Sequence, residues 1–385
     1  MIPYGRQDIS DEDVAAVAAV LRSDFLTQGP AVPEFERSVA GYCGAKHAVA
    51  FNSATSALHI ACMALGVTRG DLVWTTPNTF VATANCARYC GADIDFVDID
   101  PLTLNMSPEK LAEKLAQAKR AGRLPKVVIP VHFSGQSADM RAIAALGSKY
   151  GFKIIEDASH AIGGRYEDLP VGSCAHSDIA VFSLHPVKII TSGEGGLALT
   201  NDAALFARLA RLRTHGITRQ ASEMQGEPEG PWYYEMVDLG YNYRLTDIQA
   251  ALGLSQMKKI DTFVARRHHL ARRYDELLPG LPVVTPVQSK DSYSALHLYV
   301  IQVDSRRTNH NRAAVFGKLR EQGIGVNVHY IPVHLQPYYR ALGFKPGDFP
   351  ASEAYYRNAI TIPLYASLTE TQQDSVVEAL RQAFT

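Results

Sequence analysis

The sequence predicts an α/β protein: a large region built on a mostly parallel sheet, followed by a small α+β region. Three observations carry that prediction. Short apolar runs rich in β-branched residues, Val127 to Val131, Lys153 to Glu156 and Ile179 to Phe182, lack the polar alternation of a half-solvated strand, as strands buried on both faces do. Stretches of helical spacing lie between such runs, so strand and helix alternate. From Thr246 a mostly polar helical pattern runs through Ala265-Arg266-Arg267-His268-His269 toward Leu278, and the chain changes character beyond it.

In chain order, Ser10-Asp11-Glu12-Asp13 reads as a capping box, and Val14, Val17, Ala18 and Leu21 repeat with helical spacing after it. Leu26-Thr27-Gln28-Gly29-Pro30 breaks the pattern, and Phe35, Val39 and Tyr42 mark a second helix that stops at Gly44. Strand and helix then alternate: Ala48 to Phe51, Leu72 to Thr75 and Ile94 to Val97 as strands, Ala54 to Leu65 and Thr79 to Tyr89 as helices. Gly196 to Thr200 adds another strand. Past the long polar helix, Leu296 to Val303, Ile324 to Val328 and Ile360 to Ile362 read as strands, with helices near Asn311 to Gln322 and from the capping box at Thr369. The division expected is a large domain over 1–255 and a linking helix with a small C-terminal domain over 256–385.

With 385 residues, 46% of them hydrophobic, the chain can bury a core large enough for two domains. Lys plus Arg number 38 against 39 Asp plus Glu, which excludes a charge-driven nucleic-acid partner or a polybasic membrane contact. The partners left are small molecules and further copies of the chain. The five cysteines are scattered without a CxxC pair, which argues for a reducing compartment and against zinc; Cys86 and Cys90, one helical turn apart, read as core residues. The N-terminus lacks a signal peptide's apolar segment and no run approaches the ~20 apolar residues of a membrane span, so the expected location is the cytoplasm. Neither GxGxxG after the first strand nor GxxxxGK[ST] occurs.

Ligands of open α/β sheets lie beyond the carboxyl ends of the strands. After Phe51 comes Asn52-Ser53-Ala54-Thr55-Ser56, small and hydroxylated at a helix start, where free N–H groups can hold a phosphate; packing alone also favours small residues there. Phe80, after the next strand, brings a ring to the same edge or joins the core. Asp157 ends an apolar strand, where a buried carboxylate needs a hydrogen-bonding or cationic partner; capping the following turn is one solution and a pyridinium nitrogen is another. Ser183 closes a further strand. Lys188 follows it, between an apolar run and the turn Ser192-Gly193-Glu194-Gly195-Gly196, as a solvated loop residue or as an amine that burial deprotonates for Schiff-base chemistry.

Thr79-Phe80-Val81-Ala82-Thr83, Glu156-Asp157-Ala158-Ser159-His160-Ala161, Phe182-Ser183-Leu184-His185-Pro186-Val187-Lys188, Gly193-Glu194-Gly195-Gly196 and Gly240-Tyr241-Asn242-Tyr243-Arg244 resemble the DegT type of sugar aminotransferase along essentially the whole chain. The resemblance implies fold type I of the pyridoxal 5'-phosphate enzymes and a homodimer with active sites at its interface. It implies that Lys188 is the Schiff-base lysine, Asp157 the partner of the pyridine nitrogen and Phe80 the ring stacked on the cofactor. Ala54, Thr55 and Ser183 would hold the phosphate, Asn242 would reach it from the other subunit, and His160 would lie near the phenolic oxygen. Ala54 stands where many members have Gly, and Leu184 where many have Phe.

Within the family, Thr27-Gln28-Gly29-Pro30, Trp74-Thr75-Thr76-Pro77-Asn78-Thr79, His185-Pro186-Val187-Lys188 and the stretch from Val328 to Tyr339 are similar to the subgroup that serves pseudaminic acid biosynthesis. That similarity implies a UDP-linked 2-acetamido-2,6-dideoxy-4-keto sugar of L-arabino configuration as acceptor and glutamate as donor. His329, Tyr330 and His334 are then expected to contact the nucleotide sugar, although histidines beside tyrosines also form packed polar patches. Sugar 3-dehydratases of the family have His at the lysine position, which Lys188 argues against.

Overall fold

A computed structural model describes residues 1–385. Seven strands form the central sheet: β1 (His47–Phe51), β2 (Leu72–Thr75), β3 (Asp93–Phe96), β4 (Val127–Ile129), β5 (Lys153–Asp157), β6 (Ile179–Ser183) and β7 (Gly196–Thr200), in the order β1-β7-β6-β5-β4-β2-β3. All pairs are parallel except those of β7, which runs antiparallel to both β1 and β6. The reversal has a local cause. No helix separates β6 from β7, and without a crossover the chain can only double back. Ser183 therefore faces Gly196 across the ladder, and the loop between them carries Lys188.

Alternate side chains enter two cores. Val49, Phe51, Ile129, Ile155 and Val181 join the cluster on one face of the sheet; Ala48, Ala50, Ala180, Phe182, Leu197 and Leu199 join the cluster on the other. The inner strands are covered on both sides, which is why their apolar runs do not alternate with polar residues; the edge strand β3 does alternate, with Asp93 and Asp95 away from the core.

The C-terminal region has an antiparallel sheet of β8 (Val283–Val284), β9 (Tyr299–Val303) and β10 (Ala359–Ile362), with β9 in the middle. Helices Arg312–Glu321 and Glu370–Ala383 pack on it around Tyr299, Ile301, Val315, Leu319, Val376 and Leu380. Residues at the N-terminus belong here as well, since Ile2 bridges Ile324 and packs against the same cluster.

Several elements differ from the sequence reading. The stretch from Thr246 to Leu278 is two helices, Asp247–Met257 and Ile260–Leu277. They part at Lys258 and Lys259, where the Lys259 amine reaches the buried Asp13 carboxylate at 2.6 Å and Ser10 Oγ at 2.9 Å. The expected boundary at 255/256 falls inside the first of them. The second contributes Phe263 and Val264 to a core of the large region, and Leu270, Ala271 and Tyr274 to that of the small one. Ile324 to Val328 is no strand; it makes only single bridges, Ile324 to Ile2 and Asn327 to Thr361. Leu296 has φ 50°, so the extended run starts at Tyr299. The helix expected from Thr79 begins at Ala82, leaving Phe80 in the preceding turn. The first helix, Asp11–Leu21, buries only Asp13, while Val14 and Leu21 of its apolar stripe are exposed. No helix is long and apolar enough to cross a membrane.

Candidate active site

A cavity of about 570 Å³ opens where the loops after the sheet strands meet the segment Asn327 to Tyr330. Ala54, Thr55, Phe80, Asp157, His160, Ser183, Lys188, His329 and Tyr330 all line it.

Lys188 stands on the β6–β7 loop, where its N–H donates to His185 O at 2.9 Å. Thr191 Oγ1 donates to Leu184 O at 2.8 Å, and Gly193 N–H donates to Thr191 Oγ1 at 2.9 Å, so the loop is braced by its own backbone. Burial of the amine brings its pKa down to about 8, against the opposing pull of Asp157. A usable fraction is therefore neutral near physiological pH.

Asp157 ends β5 and is buried. Its Oδ2 accepts from Thr83 Oγ1 at 2.6 Å, and its Oδ1 accepts from Ser159 N–H at 3.1 Å. The Thr83 proton being committed, Thr79 Oγ1 donates in turn to Thr83 Oγ1 at 2.7 Å. Asp157 makes no salt bridge to another side chain. A buried carboxylate with neutral donors alone, open to a cavity, calls for a cation from the ligand.

At the other end of the cavity the helix Ala54–Ala64 begins. Ser53 caps it by accepting from Ser56 N–H, and the first N–H groups, at Ala54 and Thr55, have no partner within the helix. Gly196 permits this placement, because a Cβ there would lie 2.5 Å from Ala54 N. Ser183, opposite Gly196, borders the same corner. Phe80 is 57% exposed, with one ring edge toward Tyr330 at 6.1 Å between centroids and its flank open to the cavity. A free amine, an unpaired carboxylate, a helix start and an uncovered aromatic ring around one cavity fit pyridoxal phosphate: Lys188 for its aldehyde, Asp157 for its ring nitrogen, Ala54, Thr55 and Ser183 for its phosphate, Phe80 for its face.

Three imidazoles surround Lys188. His160 Nδ1 accepts from Ser134 N–H at 3.3 Å, so the proton sits on Nε2, which donates to Tyr330 Oη at 3.0 Å. His329 pairs Nδ1 with Thr361 Oγ1 at 2.8 Å and faces Asn327 Nδ2 at 3.5 Å. His297 lies against His160, with ring centroids 4.4 Å apart. Burial first, and the nearby lysine second, hold all three below the ordinary histidine range, His329 at about 3. Tyr330 is pushed up by burial and then by Asp157, and stays a neutral hydroxyl.

Two residues named from the sequence lie elsewhere. His334 is fully buried in the turn Val333–Leu335, with Nε2 3.0 Å from Glu353 Oε1 and its ring edge against Phe349. Asn242 is exposed and outside the cavity of its own chain. The sequence reading missed Thr83, Glu194, Asn327 and His297, all of which line the cavity. Thr83 had a signal in its position one helical turn after Thr79; His297 had none, since only the fold brings it to Lys188.

A sequence model of the DegT/DnrJ/EryC1/StrS aminotransferase family matches residues 7–381. The chain is 40% identical over 383 residues to the spore coat polysaccharide biosynthesis protein SpsC of Bacillus subtilis, covering 99% of this chain and 96% of that one. Its structure is similar to Helicobacter pylori PseC, described as an aminotransferase involved in the biosynthesis of pseudoaminic acid, with TM-score 0.90, 30% identity and coverage of 100% and 99%. It is also similar to the putative sugar aminotransferase Spr1654 of Streptococcus pneumoniae in its PMP form, with TM-score 0.90, 29% identity and the same coverage. Spr1654 is likewise known in a PLP form.

Proposed function

The chain belongs to the DegT/DnrJ/EryC1/StrS aminotransferase family, and we propose that within it this pyridoxal phosphate-dependent transaminase moves an amino group from glutamate to the 4-keto position of a UDP-linked 2-acetamido-2,6-dideoxy hexos-4-ulose, giving UDP-4-amino-4,6-dideoxy-N-acetyl-β-L-altrosamine for pseudaminic acid synthesis. The observation that carries the reaction class is the Lys188 amine, its pKa lowered to about 8 by burial, in one cavity with the Asp157 carboxylate. The sugar rests on the likeness to PseC over the full chain and on the His185-Pro186-Val187 and His329-Tyr330 segments, both at the cavity.

Bound there, the cofactor supplies a carbonyl that takes up the amino group and a ring that withdraws electrons. The chain's residues do the rest. Lys188 Nζ would hold the cofactor's carbonyl and, as a free amine, would carry the proton to and from the donor's α-carbon. Asp157 keeps the ring nitrogen protonated, its own oxygens fixed by Thr83 and Ser159. Phe80 covers a ring face, and Tyr330, fed by the Nε2–H of His160, has its own proton to offer an oxygen in the cavity. The acceptor ketone then passes through the same steps in reverse.

A homodimer completes this reading. Val14, Leu21, Phe25 and Leu26 on one side, and Trp232, Met236 and Leu239 on another, are large apolar residues left exposed by a single chain. Asn242, exposed and outside its own cavity, would reach the phosphate of the other subunit. The second reading is an aminotransferase for a different nucleotide-linked 3- or 4-keto sugar; the 40% identity to SpsC, a protein of spore coat polysaccharide biosynthesis, favours it.

A panel of nucleotide keto sugars with L-glutamate, followed by the cofactor's visible absorbance and by product mass, separates the two. Amination of the L-arabino 4-keto UDP sugar supports the proposal; its failure beside efficient amination of another sugar overturns it. A monomer with full activity in sedimentation and turnover assays would overturn the dimer.

A further inference from the structure

The cavity contains almost no positive charge. Lys188 is the only lysine among its lining residues, arginine is absent, and Asp157 and Glu194 are both acidic. An amino-acid donor nevertheless brings an α-carboxylate, bonded directly to the carbon at which Lys188 must act. A single chain brings no guanidinium to the cavity for a bidentate pair, so within it that carboxylate is met by neutral donors.

The imidazoles beside Lys188 are not equivalent in this respect. His160 has both ring nitrogens engaged, by Ser134 N–H and Tyr330 Oη. His329 has both facing protein partners, Thr361 Oγ1 and Asn327 Nδ2. His297 borders the cavity and makes no side-chain hydrogen bond; its Nδ1 is fully enclosed, which leaves Nε2 as the accessible, unpaired nitrogen of a residue only 4% exposed. A ring nitrogen that borders a cavity without a protein partner is free to hydrogen-bond a ligand.

The placement of this ring is also tightly enforced. Arg267 Nη1, buried, donates to Leu296 O and His297 O, each at 3.2 Å, and to Leu364 O at 2.9 Å. On the other side Gly135 presses on the same segment: a Cβ there would lie 2.7 Å from Leu296 N and 3.0 Å from His297 N. A backbone held from two sides, bearing a ring with an accessible unpaired nitrogen, is arranged as a binding group is.

We propose that His297 binds the α-carboxylate of the amino donor through Nε2. The inference rests on the transaminase reading and is independent of which sugar accepts the amino group.

The test uses the cofactor-loaded enzyme and L-glutamate with no sugar present, following the cofactor's absorbance in single-turnover mixing. Changing His297→Phe should weaken the apparent affinity for L-glutamate about tenfold, the effect of one lost hydrogen bond to a charged group. Affinity for 4-aminobutyrate, which lacks the α-carboxylate, should change less than twofold. Calorimetric binding of 2-oxoglutarate to the pyridoxamine phosphate form should weaken in parallel, and His297→Asn should recover part of both losses. The return half-reaction with a keto sugar should be unaffected.

Equal losses for L-glutamate and 4-aminobutyrate, or a loss confined to the sugar half-reaction, overturn the proposal. Should His297→Phe fail to fold, His297→Asn and His297→Gln carry the same comparison, and an unchanged preference for L-glutamate over 4-aminobutyrate in both counts against it. Failure of every keto sugar tested, with the donor half-reaction intact, would count against the sugar assignment alone.

Discussion

Thr83 Oγ1 lies 2.6 Å from Asp157 Oδ2, so the first turn of the helix Ala82–Tyr89 holds the carboxylate that faces the cofactor ring. Removing that hydroxyl in Thr83→Val leaves Asp157 with Ser159 N–H as its one remaining donor. The expected result is a five- to tenfold loss of turnover, in line with about 1–1.5 kcal/mol for the bond. Asp157→Asn should cost at least about 100-fold, because the ring nitrogen then loses its counter-charge. Steady-state rates of the two variants check both.

Lys188 makes the chemistry possible through its amine and not through its charge. Both Lys188→Ala and Lys188→Arg should lose turnover by about 1,000-fold or more, as expected for loss of covalent anchor and proton carrier together. Absorbance of the purified variants, which lack the protein–cofactor linkage, supplies an independent measurement.

The pKa of about 8 at Lys188 predicts how the enzyme takes up its cofactor. Only the neutral amine condenses with the aldehyde, so the rate of uptake by cofactor-free enzyme should rise about tenfold per pH unit below 8 and level off above it. A rate still climbing near pH 10 would indicate an ordinary lysine. Stopped-flow mixing with pyridoxal phosphate reads the profile.

The buried imidazoles tie stability to pH. His329 is held at about 3 in the fold against about 6.5 in an unfolded chain. Between those values the unfolded chain takes up a proton that the folded chain refuses, so stability is complete above pH 6.5 and declines as the pH falls. The slope is about 1.4 kcal/mol per pH unit for each such imidazole, and His160 and His297 add in the same sense. Denaturant unfolding at pH 5, 6 and 7 should show a shallower slope in His329→Gln by about one imidazole's share.

Gly196 is expected to be intolerant for a reason unrelated to the backbone angle. A methyl group at that position would sit 2.5 Å from Ala54 N and push the helix start away from the strand. Gly196→Ala should weaken cofactor binding about tenfold or more, measured by equilibrium titration of cofactor-free protein, with little change in the absorbance of the enzyme that does load.

Much of this site was legible in the sequence because its parts are local. β2 and β7 have the bounds their apolar runs suggest, Asp157 and Ser183 stand at strand ends that composition marks, and Lys188 follows on the loop after Ser183. Two misreadings are local, the positive φ at Leu296 and the helix start at Ala82, and the others are long-range. The break at Lys258–Lys259 depends on Asp13 at the far end of the chain. The apolar stripe of Asp11–Leu21 has the spacing of a buried face, but spacing does not say whether the cover comes from the same chain. His334 resembled a ligand-facing residue by its neighbours, yet Glu353 and Phe349 turn it inward. His297 reaches Lys188 only because Arg267, on a helix thirty residues earlier, fixes the backbone that bears it.

The helix Ile260–Leu277 gives that last contact a mechanical meaning. It is embedded at one end in the core beneath β6 and at the other in the core of β9 and β10. One cavity wall, with Lys188 and Asp157, belongs to the first body, while His329 is tied through Thr361 to the second. The rod shares the spacing of the jaws with direct ties, Ser134 Oγ to Leu298 O at 2.6 Å and Ser352 Oγ to Asp98 Oδ1 at 2.8 Å, which predicts that heat dismantles both bodies in one step.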